Sequence, residues 1–249
     1  MVNFDKAEKE FNNYVNKYDL NDSNINYKYY HSKRVMQNCI SLAKNIGLSI
    51  EEVLIAGLIG LLHDIGRFEQ YKVYNTFNDS KSIDHGDYAI DILFKDQYIR
   101  SYIVDNSYDE IIKKSILYHN KHEIGECDEK ELLFCKIIRD ADKLDIFKHY
   151  VEDSKAIVFK TDNVTENVYK SFFEKKALNF NDIKTSADMK ILQVSMFFDL
   201  NFKYSYDIIK EKDYFNILID RYIGIVKNEE TIEKYKEIKK FMNEYLESR

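Results

Sequence analysis

No proline occurs anywhere in this chain of 249 residues, where ordinary usage of about 5% would place roughly twelve. With only 7 glycines beside that absence, tight turns and strand edges lack their usual residues, so sandwiches and barrels are disfavoured. Long helices joined by short polar turns are expected instead. Polyproline ligands, proline-rich spacers and collagen-like segments are excluded. Part of the bias is compositional, since Trp is also absent while 20 Tyr and 16 Phe accompany abundant Ile, Lys and Asn. At 45% hydrophobic and 32% charged residues, the composition is that of a globular domain, far from disorder.

A net charge of -6 lacks the basic footprint that phosphate-backbone binding requires, which excludes a general nucleic-acid binder but not a local basic pocket. The opening residues carry neither the charge pattern nor the apolar run of a signal peptide. The longest apolar stretch, 53–62, is too short to span a bilayer and reads as a core helix, so no membrane association is expected. Cys39, Cys127 and Cys135 are odd in number and show no CxxC pairing, which suits a reducing cytoplasm. A small-molecule partner and a homo-oligomer are both compatible with these features.

Asn, Asp and Ser clusters punctuate the chain. Apolar spacing predicts a helix over 27–46, with Gly47 just past its end. Ser49 with Glu52 reads as a capping box opening a second helix, apolar nearly all round, that runs to His63-Asp64 and is stopped by Gly66. A polar loop follows over 75–84. Further helices are expected from Asp84-His85-Gly86 through Phe94, then over 108–118, 129–149, 166–176, 186–200, 214–225 and 230–246, with a short strand over 156–159. The expected fold class is all-α, and no linker divides residues 1–249.

The chemistry centres on histidine and aspartate. Of the 6 histidines, His31 shares a helical face with Val35, Leu42 and Ile46, which places an imidazole among inward-packing residues. Alone, it is equally well a core histidine satisfied by one hydrogen bond. His63-Asp64 puts an imidazole and a carboxylate at the end of an apolar helix, where the carboxylate must be hydrogen-bonded, ion-paired or metal-bound. Ordinary helix-end contacts would also account for the dipeptide alone. In the later helix, Leu133, Ile137, Ala141, Leu144 and Phe134 form an apolar stripe; Asp145 falls inside it, Asp142 on its edge and Asp140 round toward the polar side. A buried Asp paired with Lys or Arg is the plain alternative for Asp145.

In this order and spacing, His31, His63-Asp64 and Ala141-Asp142-Lys143-Leu144 resemble the H…HD…D signature of the HD-domain superfamily of metal-dependent phosphohydrolases. The resemblance covers roughly 25–150, an HD-like helical bundle, and leaves 151–249 as a helical extension completing the pocket. It implies that His31, His63, Asp64 and Asp142 hold a divalent ion. Imidazole and carboxylate without sulfur suit Mn, Fe, Co, Ni or Mg. His85 and His119 fall where binuclear members place ligands for a second ion, which makes one or two ions the expected cofactor, Asp64 bridging them. Asp64 and Arg67 are then the catalytic candidates, and Arg67, Arg34 and Lys143 the candidates for binding a substrate phosphate. His122 and His149 have no motif support.

The resemblance implies hydrolysis of a phosphomonoester or phosphodiester, of a nucleotide, by metal-activated water. Two alternatives stay open: a di-iron oxygenase of the same superfamily, and a catalytically silent nucleotide-binding regulatory module. Three better-known branches are not matched. A Gly-Tyr-Pro motif is absent, Ile65-Gly66-Arg67-Phe68 replaces the acidic pair that follows His-Asp in alarmone hydrolases, and position 67 is Arg where deoxynucleotidases carry Glu.

Overall fold

The computed structural model describes residues 2–153 and 159–249. Among them every regular element is helical and no strand occurs, so the all-α expectation holds. The strand expected over 156–159 falls on 156–158, outside the described residues, and on Phe159, which has no regular structure. The chain divides into two compact units, Met1–Asp145 and Ile146–Arg249. No helix among the described residues is long and apolar enough to cross a membrane.

The first unit opens with α1 (Phe4–Val15) and α2 (Ser23–Asn45). Asp22 caps α2 by accepting from the amides of Asn24 and Ile25. Gly47 then takes a left-handed conformation, φ 78°, where a side chain would be strained. In α3 (Ile50–Leu62) the Ser49–Glu52 capping box forms in full. α3 is buried nearly all round, and a Cβ at Gly60 would stand 2.8 Å from Met36 Cα, so α2 and α3 touch backbone to backbone there.

Gly66 does not stop this helix. The chain breaks at His63-Asp64 and restarts as α4 (Ile65–Tyr74), a helix that the expected boundaries omitted. Ile65 and Phe68 are buried and draw α4 into the core, while a Cβ at Gly66 would stand 2.5 Å from the carbonyl of His85. The glycine is therefore a site of close helix approach.

The 75–84 loop carries one short 3-10 turn, Asp79–Lys81. α5 (His85–Phe94) starts on an Asp84 cap, α6 (Asp109–Tyr118) ends at His119, and α7 (Glu129–Glu152) follows. Asp140, placed on the polar side of the α7 wheel, is instead fully buried, as are its neighbours Arg139 and Lys143. Residues 137–141 of α7 are all buried, so along this stretch there is no solvated face to receive it.

The second unit contains α8 (Glu166–Phe172), α9 (Ser186–Ser195), α10 (Lys203–Glu211), α11 (Tyr214–Ile225) and α12 (Glu229–Glu247). The expected 166–176 and 186–200 helices end early, the latter passing into a 3-10 turn at Met196–Asp199, and α10 was not expected at all. Phe172, Phe198, Phe241 and Tyr245 cluster in this unit, and Phe147 stacks on Phe197 at 4.0 Å. About half of its aromatic residues are buried in the core, while Phe180 is exposed.

Candidate metal centre

Six side chains from separate helices and helix ends converge in the first unit. α2 supplies His31, the end of α3 supplies His63, and Asp64 stands in the break before α4. α5 supplies His85 as its first residue, His119 lies at the end of α6, and α7 supplies Asp142. All are buried except Asp142, whose side chain is 17% exposed.

Asp64 organises the group. Its Oδ2 faces His31 Nε2 and His63 Nε2, each at 3.5 Å. Its Oδ1 faces His85 Nε2 at 3.3 Å and His119 Nε2 at 3.7 Å. Asp142 Oδ1 closes the first side, 3.1 Å from His31 Nε2 and 3.8 Å from His63 Nε2. His31, His63 and Asp64 form one set of clustered ligand atoms, and Asp64, His85 and His119 a second.

Every ring is oriented through its Nδ1. His63 Nδ1 donates to the Gly60 carbonyl at 2.8 Å, and His119 Nδ1 to the Ile116 carbonyl at 2.6 Å. Since a carbonyl can only accept, both rings carry the proton on Nδ1 and turn a lone pair outward from Nε2. His31 Nδ1 donates to Asp145 Oδ2 and His85 Nδ1 to Asp79 Oδ2, each at 2.6 Å. Each side of Asp64 therefore holds one imidazole backed by a carboxylate and one backed by a carbonyl.

Electrostatics fit cation binding. Burial pushes His63 down to about 3 and His85 to about 4, keeping both rings neutral at ordinary pH. Burial and the Lys28 ammonium press His31 the same way, but Asp142 and Asp145 outweigh them and leave it raised. Burial opposes ionisation of Asp64, yet Lys28 and the surrounding imidazoles hold its carboxyl well below the usual range. Asp142 and Asp79 also stay ionised against burial, chiefly through His31 for the one and His85 for the other.

The residues present suit a divalent ion. His63 Nε2 is buried with no hydrogen-bond partner, and His31 Nε2 makes no well-formed hydrogen bond although Asp142 Oδ1 lies 3.1 Å away, an arrangement that is costly unless a cation accepts their lone pairs. His85 Nε2 and His119 Nε2 face each other at 2.9 Å with both Nδ1 atoms already donating, so two lone pairs are aimed at one point. The donors are nitrogen and oxygen only, and no cysteine enters any ligand cluster among the described residues. That donor set matches borderline or hard divalent ions.

The charged candidates are placed differently. Arg34 forms a two-pronged pair with Asp145, Nε to Oδ1 at 2.6 Å and Nη2 to Oδ2 at 3.0 Å, and so braces the carboxylate behind His31. Arg67 Nη1 donates to Gln70 Oε1, the Phe77 carbonyl and Asp79 Oδ1, while its Nε lies 3.6 Å from Asp64 Oδ1. Lys143 is buried and reaches the Arg139 carbonyl at 3.3 Å. His122 is exposed, and neither it nor His149 joins a cluster.

Two contributors escaped the sequence reading. Lys28 Nζ lies 2.6 Å from Asp64 Oδ2; its place one turn before His31 on the same face was a usable signal. Asp79 sits in the 75–84 loop, where no periodicity could have distinguished it.

Residues 29–146 match the family model HD domain. Comparison with curated proteins and with solved structures gives no match. HD domains bind divalent metals, and the matched span encloses both ligand clusters described above. Over residues 29–146, just under half of its length, this chain is similar to the HD-domain family.

Proposed function

We propose that this protein is a metal-dependent phosphohydrolase that cleaves a phosphomonoester or phosphodiester, of a nucleotide, at a two-ion centre bridged by Asp64. One observation carries the reading: the two oxygens of Asp64 face two separate imidazole pairs, His31 with His63 and His85 with His119. Divalent ions bound to these pairs would acidify water and neutralise phosphoryl oxygens during an in-line displacement. The chain's own part is to hold the ligands rigid. Asp145 and Asp79 lock the two carboxylate-backed rings, and the helix-end carbonyls lock the other two. Arg67, with Nε near Asp64, offers positive charge at the edge of the second ligand set.

The test is elemental analysis of the purified chain combined with a phosphate-release screen over nucleotides and sugar phosphates. The expected result is two ions of the Mn, Fe, Co, Ni or Mg class per chain and release of phosphate from at least one ester. Asp64→Ala should lose both ions and the activity; His85→Ala should keep one ion. A metal-loaded chain that releases no phosphate overturns the reading. If it contains iron and changes its absorption with oxygen, the oxygenase alternative takes its place. Tight nucleotide binding indifferent to chelator and to His63→Ala would instead indicate a silent regulatory module.

A further inference from the structure

Among the described residues, three cations stand next to the carboxylates of this centre, and two are already committed. Arg34 is spread over both oxygens of Asp145, and Arg67 binds Asp79, Gln70 and the Phe77 carbonyl through one nitrogen. Lys28 differs because its hydrogen bond goes to a candidate metal ligand, which Arg67 approaches only to 3.6 Å. Its ammonium lies 2.6 Å from Asp64 Oδ2, the same oxygen that faces His31 and His63. Were that oxygen to hold a divalent ion, Lys28 would compete with it for the same lone pairs and be repelled by its charge. Lys28 is 14% exposed on a flexible stem, with its head beside the rings of Tyr27, at 5.8 Å, and Phe77, at 5.6 Å. It can therefore move without leaving the site.

We propose that Lys28 is the phosphate anchor of this centre: its ammonium, which would leave Asp64 Oδ2 were that oxygen to hold an ion, binds a non-bridging oxygen of the substrate phosphate. The inference rests on the phosphohydrolase reading above and adds a residue to it. It also implies that the Lys28 charge opposes ion binding in the ester-free protein.

The test uses the full chain with Mn2+ alone and then with inorganic phosphate, both followed by calorimetric titration. For Lys28→Met and Lys28→Gln, the expected result is Mn2+ affinity increased and phosphate affinity of the Mn2+-loaded protein reduced, each by about tenfold, as for loss of one charge-assisted contact. Lys28→Arg, which keeps the charge, should bind phosphate within about threefold of wild type. Unchanged phosphate affinity in the uncharged variants overturns the assignment. Loss of Mn2+ binding in them also overturns it, since Lys28 would then be a positioning residue for Asp64. If wild-type protein binds Mn2+ but no phosphate, the phosphohydrolase reading itself falls and this assignment with it.

Discussion

The ligating atoms of this centre depend on atoms one bond further out. His31 and His85 are each held by a carboxylate at 2.6 Å, Asp145 and Asp79, and that contact sets both the tautomer and the direction of Nε2. Asp145→Asn should weaken the ion on the His31 and His63 side by about 10- to 100-fold, whereas Asp79→Asn should weaken the ion beside His85 and His119 by a similar factor. Titration of the metal-free variants with Mn2+ checks this; if both variants lose the same ion, the two-sided arrangement is wrong. Residue type and spacing already marked His31, His63, Asp64 and Asp142, because an imidazole or carboxylate on an apolar helical face needs an explanation. The backing groups were harder to see. Asp145 was visible as an inward carboxylate with no assigned role, and Asp79 and Lys28 act through contacts 6 and 36 residues away in sequence.

At the scale of the element, helix starts were more legible than helix crossings. The Ser49–Glu52 box and the Asp84 cap follow from local chemistry that a short window contains. Gly66 shows the limit, because a glycine that ends a helix and one that lets two helices touch look alike until the second helix is placed. Its contact with the His85 carbonyl now gives it a function, fixing where α5 begins its first turn. Gly66→Ala should therefore destabilise the protein by about 1–3 kcal/mol through overpacking. It should also reduce binding of the ion beside His85 before that beside His31. Chemical denaturation with metal titration tests this; an alanine that leaves both unchanged would show that α4 and α5 can separate freely. Asp140 teaches the complementary lesson, since a helical wheel assumes one wet face and α7 has none along that stretch.

For the molecule as a whole, ion binding is expected to be a large part of stability. A divalent ion at about 100 times its dissociation constant stabilises the native state by about 2.7 kcal/mol, which for a chain of this size corresponds to roughly 5–10 °C in Tm. Chelator should remove that increment in wild type and leave Asp64→Ala unaffected, as followed by thermal unfolding. A chelator-insensitive wild type would speak against a resident ion. The helical class was legible from composition because so few turn-forming residues are present, but the division at Asp145 and Ile146 lies inside α7 and has no compositional mark. The arrangement of six ligands on as many helices and helix ends has one more consequence. With ions bound, no one of those helices in Met1–Asp145 can open by itself without giving up a coordination bond, so local fraying and global opening merge. Amide hydrogen exchange along α2, α3, α5 and α6 should then slow to a common rate on metal loading and separate again into individual rates when the metal is withdrawn.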